Sequence, residues 1–199
     1  MTLRHGFKAE ARRLALEVRE EMGIGILAPL DPYALAELYG IEVHDLRHPS
    51  LPRAAVRHLT EVRPGAFSAA LVAVGTGSVI IENHAHDPVR RRSTIAHEMA
   101  HVLLEHEFGL LLTEDETCRG GSRTVEREAA ELSGELLIPC AAARVAAFRR
   151  WTDTTVARHF RVSRRMARWR MNATGARTVA QRCVDKRRNA VAAAARSRG

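Results

Sequence analysis

Apolar residues in the first part of the chain recur first at helical and then at strand spacing. Over residues 7–22 they return at three- and four-residue intervals, which predicts an amphipathic helix. Asp31 followed by Pro32 predicts the start of a second helix, because Asp is a good N-cap and Pro suits the first helical position. Residues 41–46 then alternate apolar and polar side chains, a pattern that predicts a strand.

A short helix and two further strands are predicted next. Residues 67–74 and 78–83 have strand character, and Gly75-Thr76-Gly77 between them predicts a hairpin turn. Prolines interrupt the preceding stretch, which leaves room only for a short helix over 53–61. An exposed edge strand of such a hairpin can hold a peptide in extended form by backbone hydrogen bonds, and it can equally be an ordinary core strand.

Two longer helices follow. Asp87-Pro88 repeats the N-cap and proline pair and opens a helix predicted to end near 107–109. The arginines at 90–92 lie in its first turns, where positive charge opposes the helix dipole, so we expect them to meet carboxylates or project outward. A loop with an acidic cluster is predicted over 110–123. The second helix, capped by its first residue, Thr124, is predicted over 124–138.

The first of these two helices carries His97-Glu98-x-x-His101, an HExxH motif. Residues four apart share one face of a helix, so both imidazoles can point at one metal ion, and neutral imidazole is a good ligand of Zn²⁺. Zn²⁺ lowers the pKa of a bound water, and Glu98 can take the proton of that water. Apolar neighbours such as Ile95 and Met99 predict a buried helix, although a surface helix with solvated His and Glu is the alternative.

A catalytic zinc site takes three protein ligands and leaves one position for water. A glutamate of the second helix is the obvious third ligand, and Glu126, Glu128 and Glu131 all qualify by spacing, which does not choose between them. We expect one Zn²⁺ per chain, because two His and one carboxylate in a peptidase motif favour it over the Mn²⁺, Fe²⁺ or Co²⁺ that could also occupy such a site. The residues considered for stabilising an oxyanion are His84, His86, His106, Tyr33 and the arginines at 90–92.

Together these motifs resemble the ImmA/IrrE family of metallopeptidases. The matching segments are 91–101, which contains His-Glu-Met-Ala-His, 126–129, which reads Glu-Arg-Glu-Ala, 136–139, which reads Leu-Leu-Ile-Pro, the strand end at 80–83, and 31–43. The resemblance covers residues 10–175. The chain departs from the family pattern at Ala100, Ala130 and Leu132, where the family often has Gly, Asn and Phe.

The resemblance implies an α+β, zincin-like metallopeptidase domain with a small sheet beside a helical core and C-terminal helices. In the gluzincin-like arrangement that it implies, His97 and His101 ligate zinc and Glu98 is the general base. The third ligand is then Glu126, which opens an E-x-x-A motif. Glu128 is then expected to contact the ligands without touching the metal, and it is the alternative third ligand if Glu126 is not. The resemblance further implies a regulatory zinc-dependent endopeptidase whose protein substrate is a helix-turn-helix DNA-binding repressor.

Charge separates the C-terminal third from the rest of the chain. Residues 1–139 carry 15 Lys/Arg against 21 Asp/Glu, a balance of −6, whereas residues 140–199 carry 16 Lys/Arg against 2 Asp, a balance of +14. This asymmetry predicts either an acidic partner such as nucleic acid or a solvated arginine-rich face.

A pair of helices is predicted within this basic third. Thr152-Asp153 caps the first, and Ser163 caps the second, as in a helix-turn-helix. Four arginines would then face phosphates or bases: Arg164, Arg165, Arg168 and Arg170. The alternative, which the family resemblance favours, is a helical pair packed on the peptidase domain. Two other functions compete with the endopeptidase. One is a regulator that binds DNA through residues 153–173. The other is a domain that sequesters a repressor without cutting it.

The length of 199 residues fits one domain, or one domain with a helical extension. We expect a metallopeptidase domain over 1–150 and a basic helical extension over 151–199, packed on it and disordered at its end; only the first half of 176–199 is predicted to be helical. The absence of a membrane-length apolar run and of a signal-peptide core predicts a cytoplasmic protein without a membrane partner. Three widely spaced cysteines, Cys118, Cys140 and Cys183, fit free thiols in a reducing compartment.

Overall fold

The fold is a mixture of helices around one small sheet, in a computed structural model that describes residues 3–49, 51–75, 77–106 and 123–196. The strands are β1 (Glu42–Asp45), β2 (Ala69–Val74) and β3 (Gly77–Glu82). The helices are α1 (Phe7–Glu21), α2 (Pro32–Leu38), α3 (Arg53–Arg57), α4 (Pro88–Leu103), α5 (Arg123–Leu137), α6 (Cys140–Phe148), α7 (Asp153–Phe160), α8 (Arg164–Ala173) and α9 (Ala176–Arg196). This confirms the predicted α+β class.

The sheet has the order β1-β3-β2, with β1 parallel and β2 antiparallel to the central strand. The β2–β3 hairpin is the predicted one, and Leu71 lies opposite Ile80. The Asn83 N–H donates to the Ser68 carbonyl at 2.9 Å. Hydrogen-bonded and non-bonded pairs alternate along an antiparallel ladder, so the backbone N–H and C=O of Leu71 point away from β3. β2 is thus an outer strand of the sheet, and no described strand pairs with the edge toward which the backbone of Leu71 points.

Local capping begins the helices where the sequence predicts. The Asp31 carboxylate accepts from the Tyr33 N–H at 3.2 Å, and the Asp87 carboxylate accepts from the Val89 N–H at 2.8 Å. Thr152 and Ser163 cap α7 and α8 through their hydroxyls. The cap predicted at Thr124 is wrong, because α5 already includes Arg123 and Thr124 lies inside the helix.

The C-terminus of α4 also differs from the prediction, since the helix ends at Leu103 rather than near 107–109. Glu105 takes a left-handed conformation with φ of 51°, which stops the helix. The predicted end at 107–109 and the predicted loop at 110–123, apart from Arg123, which opens α5, lie outside the described residues.

Two apolar cores flank α5. One lies between α1, α2, α4, α5 and the inner face of the sheet, and the other joins α6, α7, α8 and α9 to the far side of α5. Gly134 of α5 allows the close approach of α8, because a Cβ there would lie 2.8 Å from the Trp169 ring. The C-terminal helices thus pack on the helix that follows the HExxH helix. The division of the chain at residue 150 stays a prediction.

The position of Arg170 contradicts one expectation of the helix-turn-helix interpretation, in which this arginine faces nucleic acid. Its side chain is fully buried and pairs with Glu131 at 2.9 Å and with Glu135, both on α5. Its place in the helical repeat explains this, because Ala167 and Met171 on the same face of α8 are also buried. α9 runs to Arg196, farther than predicted, and the end predicted to be disordered falls on 197–199, outside the described residues.

Candidate metal centre

The HExxH helix α4 and the following helix α5 bring three candidate ligands together. The His97 Nε2 lies 3.2 Å from the His101 Nε2 and 3.2 Å from a Glu126 carboxylate oxygen. The His101 Nε2 lies 3.6 Å from the other oxygen of Glu126. Among the described residues, these three form the only group of His, Cys, Asp or Glu close enough to share a metal ion. Their assignment as ligands stays a prediction at this point.

The spacing of these atoms fits a tetrahedral metal. Ligands about 2.0–2.1 Å from one Zn²⁺ lie about 3.3–3.4 Å from each other in a tetrahedron. The His97–His101 and His97–Glu126 separations are both 3.2 Å, and the His101 Nε2 lies 3.6 Å from the second Glu126 oxygen, so the two imidazoles and the carboxylate lie about this far apart. The exposed fraction of the side chains rises from 9% at His101 to 28% at His97 and 53% at Glu126. The cluster therefore opens toward solvent on the side of Glu126, as a site that admits water and substrate must.

The protonation states of the cluster suit a cation. Burial lowers the pKa of His101 to about 4, and the neighbouring His97 acts in the same direction, so His101 is neutral near pH 7. The hydrogen bond from His97 lowers the pKa of Glu126, which therefore presents a carboxylate. Neutral imidazole and ionised carboxylate are the forms that ligate zinc.

Glu98 lies beside this cluster with its carboxylate half-buried. Burial raises its pKa, with Glu126 adding to the rise and His97 opposing it. The backbone N–H of Leu71, on the outer edge of β2, donates to the Glu98 carboxylate. Glu98 thus joins the helix of the candidate ligands to the edge strand of the sheet.

The other two glutamates considered for the third ligand do not join the cluster. Glu131 pairs with Arg170 beneath α8. Glu128 accepts a hydrogen bond at 3.0 Å from the Nε of Arg4, a residue that the sequence does not single out. Rotation along α5 explains the difference, because residues two and five positions after Glu126 point in other directions from a helix axis.

The candidates for oxyanion stabilisation are mostly engaged in the frame of the fold. The Tyr33 hydroxyl donates to Glu82 at 2.9 Å, and Arg91 pairs with the same carboxylate. Arg92 pairs with Asp31, and Arg90 donates to the Ser68 hydroxyl at 2.9 Å. The arginines of α4 thus behave as predicted. The other candidates contact Pro64 (His86), lie near Asp45 (His84) or reach His101 (His106).

Comparison with known proteins identifies the family. The sequence model of the M78 peptidase family, described as the IrrE N-terminal-like domain, matches residues 37–172. The chain belongs to this family. The match to the M78 family takes in the sheet, α4 and α5, and it makes this a metallopeptidase-type domain. No protein with a curated description matches the chain at a significant level.

The M78 domain also carries a basic surface in its C-terminal helices. Arg164, Arg165 and Arg168 line a shallow groove on α8 with Trp169 and Asn172. Arg168 is partly neutralised, since it pairs with Asp153 at 3.1 Å.

None of the described helices has the length and apolar character needed to cross a membrane.

Proposed function

We propose that this M78 domain is a zinc-dependent endopeptidase of the gluzincin type. The observation that carries the proposal is the convergence of His97, His101 and Glu126 at the spacing of a tetrahedral site, with Glu98 beside them. The three would hold one Zn²⁺, for which imidazole and carboxylate ligands are suited. When bound, zinc supplies a Lewis acid that polarises a peptide carbonyl and makes water acidic enough to react near neutral pH.

The chain's own part in the reaction falls to Glu98. Its carboxylate takes a proton from the attacking water as the new carbon–oxygen bond forms at the peptide carbonyl. It then gives that proton to the departing nitrogen as the carbon–nitrogen bond breaks, which leaves a carboxylic acid and an amine. A pKa raised by burial suits this exchange, because a group titrating closer to the working pH both accepts and returns a proton readily.

We propose that the substrate peptide binds along the outer edge of β2. The backbone of Leu71 points away from β3 and contacts Glu98, so a peptide added along this edge would run past the base. Strand addition needs an extended segment and makes hydrogen bonds to backbone, which leaves sequence choice to side-chain pockets. The substrate is proposed to be a helix-turn-helix DNA-binding repressor, and this class rests on the resemblance to ImmA/IrrE metallopeptidases.

The metal set is tested by zinc content at excess zinc in the full chain. We expect one zinc per chain in the wild type and in Glu128→Ala, and its loss in His97→Ala and Glu126→Ala. No zinc in the wild type would remove the enzyme proposal. Loss of zinc in Glu128→Ala with retention in Glu126→Ala would transfer the third ligand to Glu128.

The base is tested by cleavage of the repressor encoded beside the gene. Glu98→Gln should bind zinc normally and lose cleavage by about 10²–10⁴-fold. The control is Glu37→Gln, an exposed residue of α2, which should cleave as the wild type does. An intact repressor with zinc-loaded wild type would remove the substrate class. A Glu98→Gln protein that stays fully active in vivo would instead favour a domain that sequesters its partner without cutting it.

A second candidate function, DNA binding through α7 and α8, is favoured by the arginine groove on α8. Arg164 and Arg165 are exposed at the start of α8, and Ser163 caps the helix as in a helix-turn-helix. If this surface binds DNA, Arg164→Gln/Arg165→Gln should weaken a salt-dependent shift of duplex DNA. Arg53→Gln/Arg57→Gln on α3 removes the same charge elsewhere and should not. No shift by the wild type at low salt would exclude DNA binding.

A further inference from the structure

His106 contacts the candidate metal centre from a position that the proposed reaction does not use. α4 ends in a Schellman turn, in which the His106 N–H donates to the His101 carbonyl at 3.1 Å and the Glu105 N–H donates to the Val102 carbonyl at 3.0 Å. Such a turn brings the residues at its two ends together. Here those residues are two histidines, and the Nδ1 atoms of His101 and His106 lie 2.9 Å apart.

Behind His106 the polar contacts continue away from the metal centre. The His106 Nε2 lies 3.9 Å from a Glu128 carboxylate oxygen. The other oxygen of Glu128 accepts from the Arg4 Nε at 3.0 Å, and Arg4 also pairs with Glu10 at 2.8 Å. The side chains of His106 and Glu128 are only 10% and 9% exposed. A chain of contacts therefore leads from the surface arginine to the buried His101.

The donors and acceptors of the two imidazole rings determine the direction of the hydrogen bonds between His101, His106 and Glu128. The Nε2 of His101 faces His97 and Glu126, so a metal there takes its lone pair and leaves the ring proton on Nδ1. That Nδ1–H then donates to the Nδ1 of His106, which must be an acceptor. A neutral His106 with an acceptor at Nδ1 carries its proton on Nε2, the atom that faces the Glu128 carboxylate.

We propose that His106, supported by Glu128 and Arg4, is a positioning residue that fixes the tautomer and ring orientation of His101 for metal binding. This inference rests on the proposed role of His101 as a ligand. Partners of this kind hold the ligand ring in place and raise its basicity, and their loss lowers metal affinity about 10–100-fold. A simpler role, in which the same contacts only tie the N-terminal segment to α5, predicts a loss of stability without a loss of affinity.

The tautomers are tested directly by long-range proton–nitrogen NMR spectra of the zinc-loaded wild type. We expect His101 to carry its proton on Nδ1 and His106 to carry its proton on Nε2. A proton on Nδ1 of His106 would overturn the proposal, because His106 could not then accept from His101.

The affinity is tested by competition between the protein and a chromophoric zinc chelator. We expect about 10–100-fold weaker zinc binding in His106→Phe, which keeps a ring of similar shape and removes both nitrogens. His106→Asn keeps an acceptor at the Nδ1 position and should recover part of the loss. The control His86→Phe removes a buried histidine that bonds to the Pro64 carbonyl, and it should leave zinc affinity unchanged.

The outcomes separate the two proposals. Wild-type affinity in His106→Phe, with a lower melting temperature of the metal-free protein, would reduce the cluster to a structural tie and overturn the positioning role. A wild type that binds no zinc would instead remove the proposed metal centre, and the positioning role with it. If His106→Phe does not fold, the tautomer spectra and His106→Asn still test the proposal. His106→Asn keeps an acceptor for His101, so it should bind zinc more tightly than His101→Ala, which lacks a ligand. Equal zinc affinity of these two variants would contradict the positioning role.

Discussion

Arg170→Met tests how strongly the C-terminal helices are held to the metallopeptidase core. Arg170 is fully buried and contacts Glu131 at 2.9 Å, Glu135, and the Ile138 carbonyl at 2.9 Å from its Nε. Methionine keeps much of the apolar stem and removes the charge. Both carboxylates are buried, and breaking a buried ion pair by removing one partner costs about 3–5 kcal/mol.

A second variant separates the effect of the unpaired Glu131 carboxylate from the effect of lost packing. Glu135 keeps a hydrogen bond from the Cys140 N–H at 2.8 Å and a contact with Arg12 at 3.4 Å. Among its described contacts, Glu131 has its ion pair only with Arg170. Adding Glu131→Gln to Arg170→Met removes the stranded charge. We therefore expect the double variant to be more stable than Arg170→Met alone.

Urea unfolding measures both effects. For a chain of this size, a loss of about 3–5 kcal/mol corresponds to a fall in melting temperature of roughly 6–20 °C. The matched control is Arg165→Met, an exposed arginine of the same helix, which should change the free energy of unfolding by no more than about 0.5 kcal/mol. Equal stabilities of Arg170→Met and Arg165→Met, at an unchanged slope with urea, would refute the buried-pair reasoning.

Three further variants or titrations follow from the packing. Gly134→Ala should cost about 1–3 kcal/mol of unfolding free energy, measured by urea unfolding, because its Cβ would meet the Trp169 ring. Asn83→Ala should cost about 1–3 kcal/mol in the same assay, since it leaves the Leu59 and Phe67 carbonyls without their buried amide donor. Burial raises the pKa of Tyr33 and of Tyr39 to about 12. The absorbance of their phenolates should therefore rise near pH 12 in the folded protein and near pH 10 in urea. The folded state holds these protons more tightly, so this contribution to stability is complete below pH 10 and is lost as the pH approaches 12.

Features set by neighbours in the sequence were predicted well. The N-caps at Asp31, Asp87, Thr152 and Ser163 depend on side chains reaching N–H groups two or three residues away. The hairpin pairs two strands, β2 and β3, that follow each other closely in the sequence. The end of α4 was missed because Glu105 adopts a left-handed conformation that a glutamate rarely takes.

Contacts between residues far apart in the chain escaped prediction. Arg4 reaches Glu128 across 124 positions, and Arg170 reaches Glu131 across 39. Nothing in local spacing pairs such residues. The helix-turn-helix interpretation groups Arg170 with the arginines that face nucleic acid, because the arginines of α8 are alike in sequence. Only its burial distinguishes Arg170 from the exposed Arg165.

By itself, the sequence determined that His97 and His101 share one face of a helix with Glu98 beside them, because a helix places residues four apart on one side wherever it lies. It also determined the family and the α+β class. Spacing along the chain left three glutamates of α5 open, and the family resemblance implied Glu126. Only the tertiary structure brings Glu126, and not Glu128 or Glu131, to the histidines. The three glutamates point in three directions from the helix axis, and the packing of α5 directs Glu126 to α4, Glu128 to Arg4 and Glu131 to α8.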